Sequence, residues 1–316
     1  MKKKILITTF PYSRFDKRPL EILKKNNIEF KISRLNRKYT TLELANEIHK
    51  YDGLISDTEN INESVFKKAN KLKIISRVGI GVDNVDLKCA KKYNVVVTNT
   101  PDAPSPAAAD LAIGFMFAAL RSTFASHNKM HRGIWDRYFG KRIENSTIGI
   151  IGVGRIGKIV ITKLKKLGVK KILYNDIDKR IRFVNKNVIA TTKKNVFSQS
   201  DIVSIHIPAN KRNHNLISNK FLKLMKNDSS LINTSRGEVV NEKDLYISLK
   251  NKLLKSACLD VFWKEPYFGQ LKNLDNCFLT AHMGSMTFDC RSRMEIEATK
   301  QICDFLNYNK IKNRVV

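Results

Sequence analysis

The sequence predicts an α/β protein made of two doubly wound parallel sheets. Short apolar runs rich in Ile, Leu and Val alternate with amphipathic helix-like segments along all 316 residues, as expected when helices cover a parallel sheet. A chain of that length suits two domains. A glycine-rich turn, residues 152–157, joins an apolar run to a helical one and opens the second half.

The elements are expected in the following order. Ile5–Thr9 reads as a strand, Arg18–Asn26 as a helix and Glu29–Ser33 as a strand. Thr41–His49 should be a helix with Thr41 as its cap and Glu43 and Glu47 on the wet face. Strands at Gly53–Ser56 and Lys73–Arg77 flank a helix at Glu63–Ala69, and a strand at Val95–Thr98 is closed by Asn99-Thr100-Pro101. These form one doubly wound unit. Ala107–Leu120 is almost wholly apolar but too short to cross a membrane, so it should be a buried helix packed on another domain or subunit. The second block opens at Ile148–Gly152. It continues with strands at Lys171–Asn175, Ile202–His206, Ser229–Asn233, Ser256–Asp260 and Cys277–Thr280, with helices between them. A long helix, Asp289–Tyr308, follows. No internal repeat is visible.

Composition narrows the function. With 42% hydrophobic and 28% charged residues, the chain is neither collagen-like nor low-complexity. No apolar run reaches membrane-spanning length, so no membrane partner is expected. The first apolar run is too short for a secretory signal. The five cysteines are scattered and odd in number, which argues against a disulfide framework and a zinc site and for a reducing cytoplasm. No metal is expected. The net charge of +29 raises the question of nucleic acid, but the lysines are spread along the chain with no basic stripe, so no dedicated nucleic-acid partner is expected. A positive surface still steers anionic ligands inward.

Gly152-Val153-Gly154-Arg155-Ile156-Gly157 has the spacing of a dinucleotide-binding turn. Gly152 would allow the tight turn, Gly154 the approach of a pyrophosphate, and Gly157 the close packing of helix on strand. The helix N-terminus adds free N–H groups and partial positive charge. Asp176, at the end of the next strand, can accept hydrogen bonds from the adenosine ribose and would repel a 2′-phosphate, so NAD is expected rather than NADP.

Further strand ends carry Asn233-Thr234-Ser235-Arg236-Gly237, Asp260-Val261-Phe262 with Glu265-Pro266 after it, and Thr280-Ala281-His282. Ligands of open α/β sheets lie outside the carboxyl ends of strands. A His there can handle a hydroxyl proton near neutral pH. A carboxylate on its other ring nitrogen fixes the tautomer and favours the imidazolium. An Arg can hold the carboxylate and carbonyl oxygens of a 2-oxo acid in a fork.

With these stretches, Ile75–Leu87 and Thr98-Asn99-Thr100-Pro101, the chain resembles the D-2-hydroxyacid dehydrogenase family, most closely its phosphoglycerate-dehydrogenase-like branch. The resemblance covers nearly the whole chain. It implies that Arg236, Glu265 and His282 are catalytic, and that the backbone N–H groups of Val78 and Gly79, with Arg236, hold the substrate. It implies that Arg155 and Ile156 meet the pyrophosphate, that Thr234 and His206 line the cofactor site, and that Asp260 binds the nicotinamide amide. It further implies a flavodoxin-like substrate domain of residues 1–101 and 285–316, a Rossmann-type NAD domain of 102–284 inserted in it, hinge closure, and a homodimer through the Ala107–Leu120 helix. Ala281 replaces the family's usual Pro, Asp110 its usual Glu, and Asp176 lies one residue further along than usual, so Asn175 competes for its role.

The substrate is left open. It would be a small 2-hydroxy or 2-oxo acid, with 3-phosphoglycerate one candidate. The loop Asp57-Thr58-Glu59-Asn60 is acidic where enzymes for 3-phosphoglycerate often carry cations, whereas Arg14 and Arg18 in the first loop could bind a phosphate. A glyoxylate- or hydroxypyruvate-type reductase is the alternative, and a cofactor-sensing corepressor-like binding protein is the alternative of another class. No regulatory C-terminal module is expected.

Overall fold

The computed structural model describes residues 2–35 and 37–316. The chain divides into two compact units, residues 1–104 with 285–316, and residues 105–284. Both are parallel α/β structures.

The first unit runs β1 (Lys4–Ile7), α1 (Arg18–Lys25), β2 (Glu29–Ile32), α2 (Thr41–Glu47), β3 (Gly53–Ser56), α3 (Glu63–Lys68), β4 (Ile74–Arg77), α4 (Leu87–Lys92) and β5 (Val96–Thr98). Its sheet order is β2-β1-β3-β4-β5. Strands β1, β3 and β4 are almost wholly buried, which explains the adjacent Ile or Leu residues in each. The cap of α2 is Thr40, not Thr41. Its hydroxyl accepts the Glu43 N–H, and Glu43 accepts the Thr40 N–H in return, a capping box that fixes the start one residue earlier.

The second unit contains α5 (Pro104–Arg121, whose first residue belongs to the first unit), α6 (Thr123–His131), β6 (Thr147–Ile151), α7 (Arg155–Lys166), β7 (Lys171–Asn175), β8 (Val188–Ala190), α8 (Lys193–Gln199), β9 (Ile202–Ile205), α9 (Asn219–Leu222), β10 (Ser230–Asn233), α10 (Glu242–Lys250), β11 (Ser256–Leu259) and β12 (Cys277–Leu279). All its strand pairs are parallel, in the order β12-β11-β10-β9-β6-β7-β8. The order reverses between β6 and β9, where a doubly wound sheet takes its ligand. Apolar clusters cover both faces. Helix α5 buries Ala109, Ala112, Phe115 and Met116 against its own sheet. The closing helix α11 (Phe288–Tyr308) belongs to the first unit, and its Ile302 side chain lies where a Cβ on Gly53 would stand.

Among the described residues, no single helix is long and apolar enough to cross a membrane. No group of His, Cys, Asp and Glu among them is placed to hold a metal ion.

Candidate active site

Three adjacent parallel strands, β10, β11 and β12, end together and deliver the residues with acid–base and cationic side chains. His282 follows β12 with φ of 50°, in the left-handed region that costs a non-glycine residue about 1–2 kcal/mol. Asp260 holds it there. The Asp260 carboxylate is buried and accepts from the Thr280 hydroxyl at 2.5 Å, the Met283 N–H at 2.8 Å and the Gly284 N–H at 2.8 Å. The His282 N–H donates to the Asp260 carbonyl at 2.9 Å.

His282 Nδ1 lies 2.7 Å from Glu265 Oε2, and Glu265 Oε1 accepts the Phe262 N–H at 3.1 Å. The carboxylate is therefore held at one end and presents its other oxygen to the ring. With Nδ1 bound to Glu265, Nε2 is the nitrogen left to meet a substrate.

The Arg236 loop is set by Asn233, whose amide donates to the Arg236 carbonyl at 2.9 Å and whose oxygen accepts the Ser235 N–H at 3.0 Å. An Arg236 Nη group donates to the Ser235 carbonyl at 2.7 Å. A Cβ on Gly237 would stand 2.0 Å from the Phe262 carbonyl carbon, so only glycine lets this loop touch the one that carries Glu265.

At the sheet's reversal point, Gly152 has φ of 93°, and a Cβ there would meet the His206 carbonyl oxygen at 2.5 Å. A Cβ on Gly157 would meet the Gly152 oxygen at 2.1 Å. Gly154 differs. The space where its Cβ would stand holds no atom of a non-neighbouring described residue within 4 Å, which leaves the turn room for a pyrophosphate. Gly154 is the N-cap of α7, with no side-chain cap bond, so the helix's first turn, Arg155 and Ile156, opens onto the glycine turn. The Ile156 side chain packs on the core. Two buried polar atoms, His206 Nδ1 and Thr234 Oγ1, have no hydrogen-bond partner among the described residues. Burial lowers the His206 imidazole to about 4. These features fit a dinucleotide.

Asp176 is turned into the turn itself. Its Oδ2 accepts the Val153 N–H at 2.6 Å and its Oδ1 the Asp178 N–H at 2.8 Å. Asn175, the competing residue, donates instead to the Thr191 carbonyl at 2.6 Å. Arg180 is forked onto Asp178.

Residues 113–284 match the model of the D-isomer specific 2-hydroxyacid dehydrogenase NAD binding domain. The chain belongs to that family. A dehydrogenase of this family is an NAD-dependent oxidoreductase acting on the CH–OH group of 2-hydroxy acids, and NAD is its cofactor. The dehydrogenase is 34% identical over 282 residues to D-3-phosphoglycerate dehydrogenase of Methanocaldococcus jannaschii, a match spanning 87% of this chain and 54% of that one. It is 33% identical over 273 residues to glyoxylate reductase of Thermococcus litoralis, spanning 83% of this chain and 82% of the other. The crystal structure of NAD⁺-bound 3-phosphoglycerate dehydrogenase of Entamoeba histolytica superposes with a TM-score of 0.85 at 27% identity, covering 100% of this chain and 99% of that one.

The structure adjusts several residue-level expectations for the dehydrogenase. The Val78 N–H donates to the Ser56 carbonyl at 2.8 Å, because the β3–β4 ladder runs one residue past the strand, so it is not open to a carboxylate. The Gly79 N–H donates to the Thr100 hydroxyl at 2.7 Å, a partner that a substrate oxygen would have to displace. The loop after β3 is not an acidic surface: Asp57 is ion-paired with Arg291, and Glu59 is buried with its pKa raised by desolvation. Arg18 is forked onto Asp16, while Arg14 is exposed. Arg77, within the Ile75–Leu87 stretch but given no role there, is a buried guanidinium whose Nη1 lies 1.4 Å from where a Gly79 Cβ would stand.

Proposed function

We propose that the dehydrogenase interconverts a small unphosphorylated D-2-hydroxy acid and its 2-oxo acid, of the glyoxylate and hydroxypyruvate kind. The observation that carries the chemistry is the 2.7 Å pair of His282 and Glu265 at the carboxyl edge of the second sheet. Bound NAD supplies the hydride acceptor for oxidation and, when reduced, the hydride donor. In oxidation, neutral His282 takes the substrate hydroxyl proton at Nε2. In reduction, its imidazolium gives a proton to the carbonyl oxygen from the same atom. Glu265 holds the other nitrogen throughout, which keeps the tautomer and stabilises the charged ring. Arg236 holds the substrate carboxylate and carbonyl oxygens. Gly152, Gly154, Arg155, Ile156 and Gly157 hold the pyrophosphate, Asp176 the adenosine ribose, and Thr234 and His206 line the cofactor. Asp260 supports the His282 loop as well as facing the nicotinamide amide.

Two features favour an unphosphorylated substrate. Arg18 is paired with Asp16, and the Thermococcus relative, covered over 82% of its own length, is a glyoxylate reductase. A second reading, 3-phosphoglycerate, is favoured by exposed Arg14, by the Methanocaldococcus relative, of which this chain spans about half, and by the Entamoeba structure, of which it covers 99%. A screen of 2-oxo acids for loss of NADH absorbance decides between them. Rapid turnover of glyoxylate or hydroxypyruvate is expected, and activity confined to the phosphorylated acid would overturn the choice.

The first unit, residues 1–104 and 285–316, would serve the substrate. The enzyme would act as a homodimer in the cytoplasm. Exposed Trp135 and Phe139 on the segment after α6 support a second copy, and five unpaired cysteines support a reducing compartment.

A further inference from the structure

A buried charge cluster at the carboxyl edge of the first sheet is not used by the chemistry above. Arg291, near the start of α11, is 4% exposed. Its Nε donates to Glu295 Oε1 at 2.7 Å and one Nη to Asp57 Oδ2 at 3.2 Å. Its other Nη donates to the Thr9 hydroxyl at 2.5 Å and the Pro11 carbonyl at 2.8 Å. Glu295, buried as well, accepts the Ser13 N–H at 2.8 Å through its second oxygen. One guanidinium therefore ties the loop after β1 to the loop after β3 and both to α11. In the order β2-β1-β3-β4-β5, the chain reverses direction between β1 and β3. The crevice outside the strand ends at such a reversal is where open sheets take ligands. Here the protein's own side chains fill it.

We propose that Arg291 is a positioning residue for substrate binding. It holds the loops of residues 9–18 and 57–62 in fixed register, so that the first unit presents its ligand with one arrangement. This rests on the reading of the first unit as the substrate unit. The planar guanidinium reaches acceptors in several directions at once, which a lysine ammonium on its single nitrogen cannot do. A buried cation retained only for charge balance would tolerate that exchange. A cation retained for its span would not.

Arg291→Lys separates the two. In the full-length protein, KM for glyoxylate or hydroxypyruvate should rise about tenfold while kcat and NADH affinity stay within about threefold. Amide exchange should quicken in residues 9–18 and 57–62 and stay unchanged in residues 148–160. Should that variant fail to fold, Glu295→Gln keeps the size and one oxygen for Ser13, and is read by the same two measurements. Unchanged loop exchange would overturn the proposal, and so would quicker exchange with an unmoved KM. Wild-type protein inert toward every 2-oxo acid would overturn the substrate reading and the proposal with it. It is told apart because it appears before any substitution is made.

Discussion

At the residue scale, the proposed acid–base group, its partner and its support are three different side chains, and each has its own test. His282→Gln keeps a polar side chain but cannot exchange the proton, so kcat should fall by about 10²–10⁴-fold while NADH binding, followed by fluorescence titration, survives. Glu265→Gln keeps the shape of the 2.7 Å contact and removes its charge, so kcat should fall while NADH affinity holds. An unchanged kcat would make Glu265 a turn residue only. Asp260→Asn turns an amide N–H toward donors that now share a carboxylate, at a cost of about 1–3 kcal/mol, readable as a drop in Tm. His206 gives a pH dependence of stability. Its folded value of about 4 lies below the ordinary imidazole value, so between the two the unfolded chain binds more protons. The contribution is whole above about pH 6.5 and is lost as pH falls toward 4, up to about 3 kcal/mol. His206→Gln should flatten that slope in urea melts taken across the range.

At the element scale, the two outer glycines of the dinucleotide turn and the middle one do separable work. Gly157→Ala drives a methyl into the Gly152 carbonyl and should cost about 1–3 kcal/mol, with NADH binding lost as well. Gly154→Ala meets no protein atom and has an ordinary φ of −73°, so Tm should hold while NADH affinity falls. Equal loss of stability in both variants would refute this division. The same reasoning explains which elements could be read in advance. Strand β3 was legible to the residue because all four of its residues are buried in a row. Strand β8 was not, because only Val188 of its three residues is buried and it lies at the sheet edge. Helices α4 and α6 are short or weakly patterned, and an Asp86 cap rather than an apolar stripe starts α4. The α2 cap differed by one residue because adjacent Thr40 and Thr41 are alike in sequence and only the reciprocal bond to Glu43 distinguishes them.

At the scale of the whole molecule, the exposed Trp135 and Phe139 predict association. Trp135→Ser with Phe139→Ser should halve the mass seen by light scattering, and an unchanged mass would place the homodimer elsewhere or nowhere. The α/β class, the strands buried in a row, the dinucleotide turn and the placing of Arg236, Glu265 and His282 after three neighbouring strands could all be read from the sequence alone. These are properties of local pattern: apolar runs mark buried strands, and a glycine marks a backbone that must turn or touch. Only the tertiary structure decided which polar groups are already spent. The Val78 N–H belongs to Ser56 and Arg18 to Asp16. Asp57 looked like surface charge, yet its cation is Arg291, 234 residues away along the chain. Whether a charge faces water or a partner depends on what the fold brings against it, and no local pattern in the sequence records that.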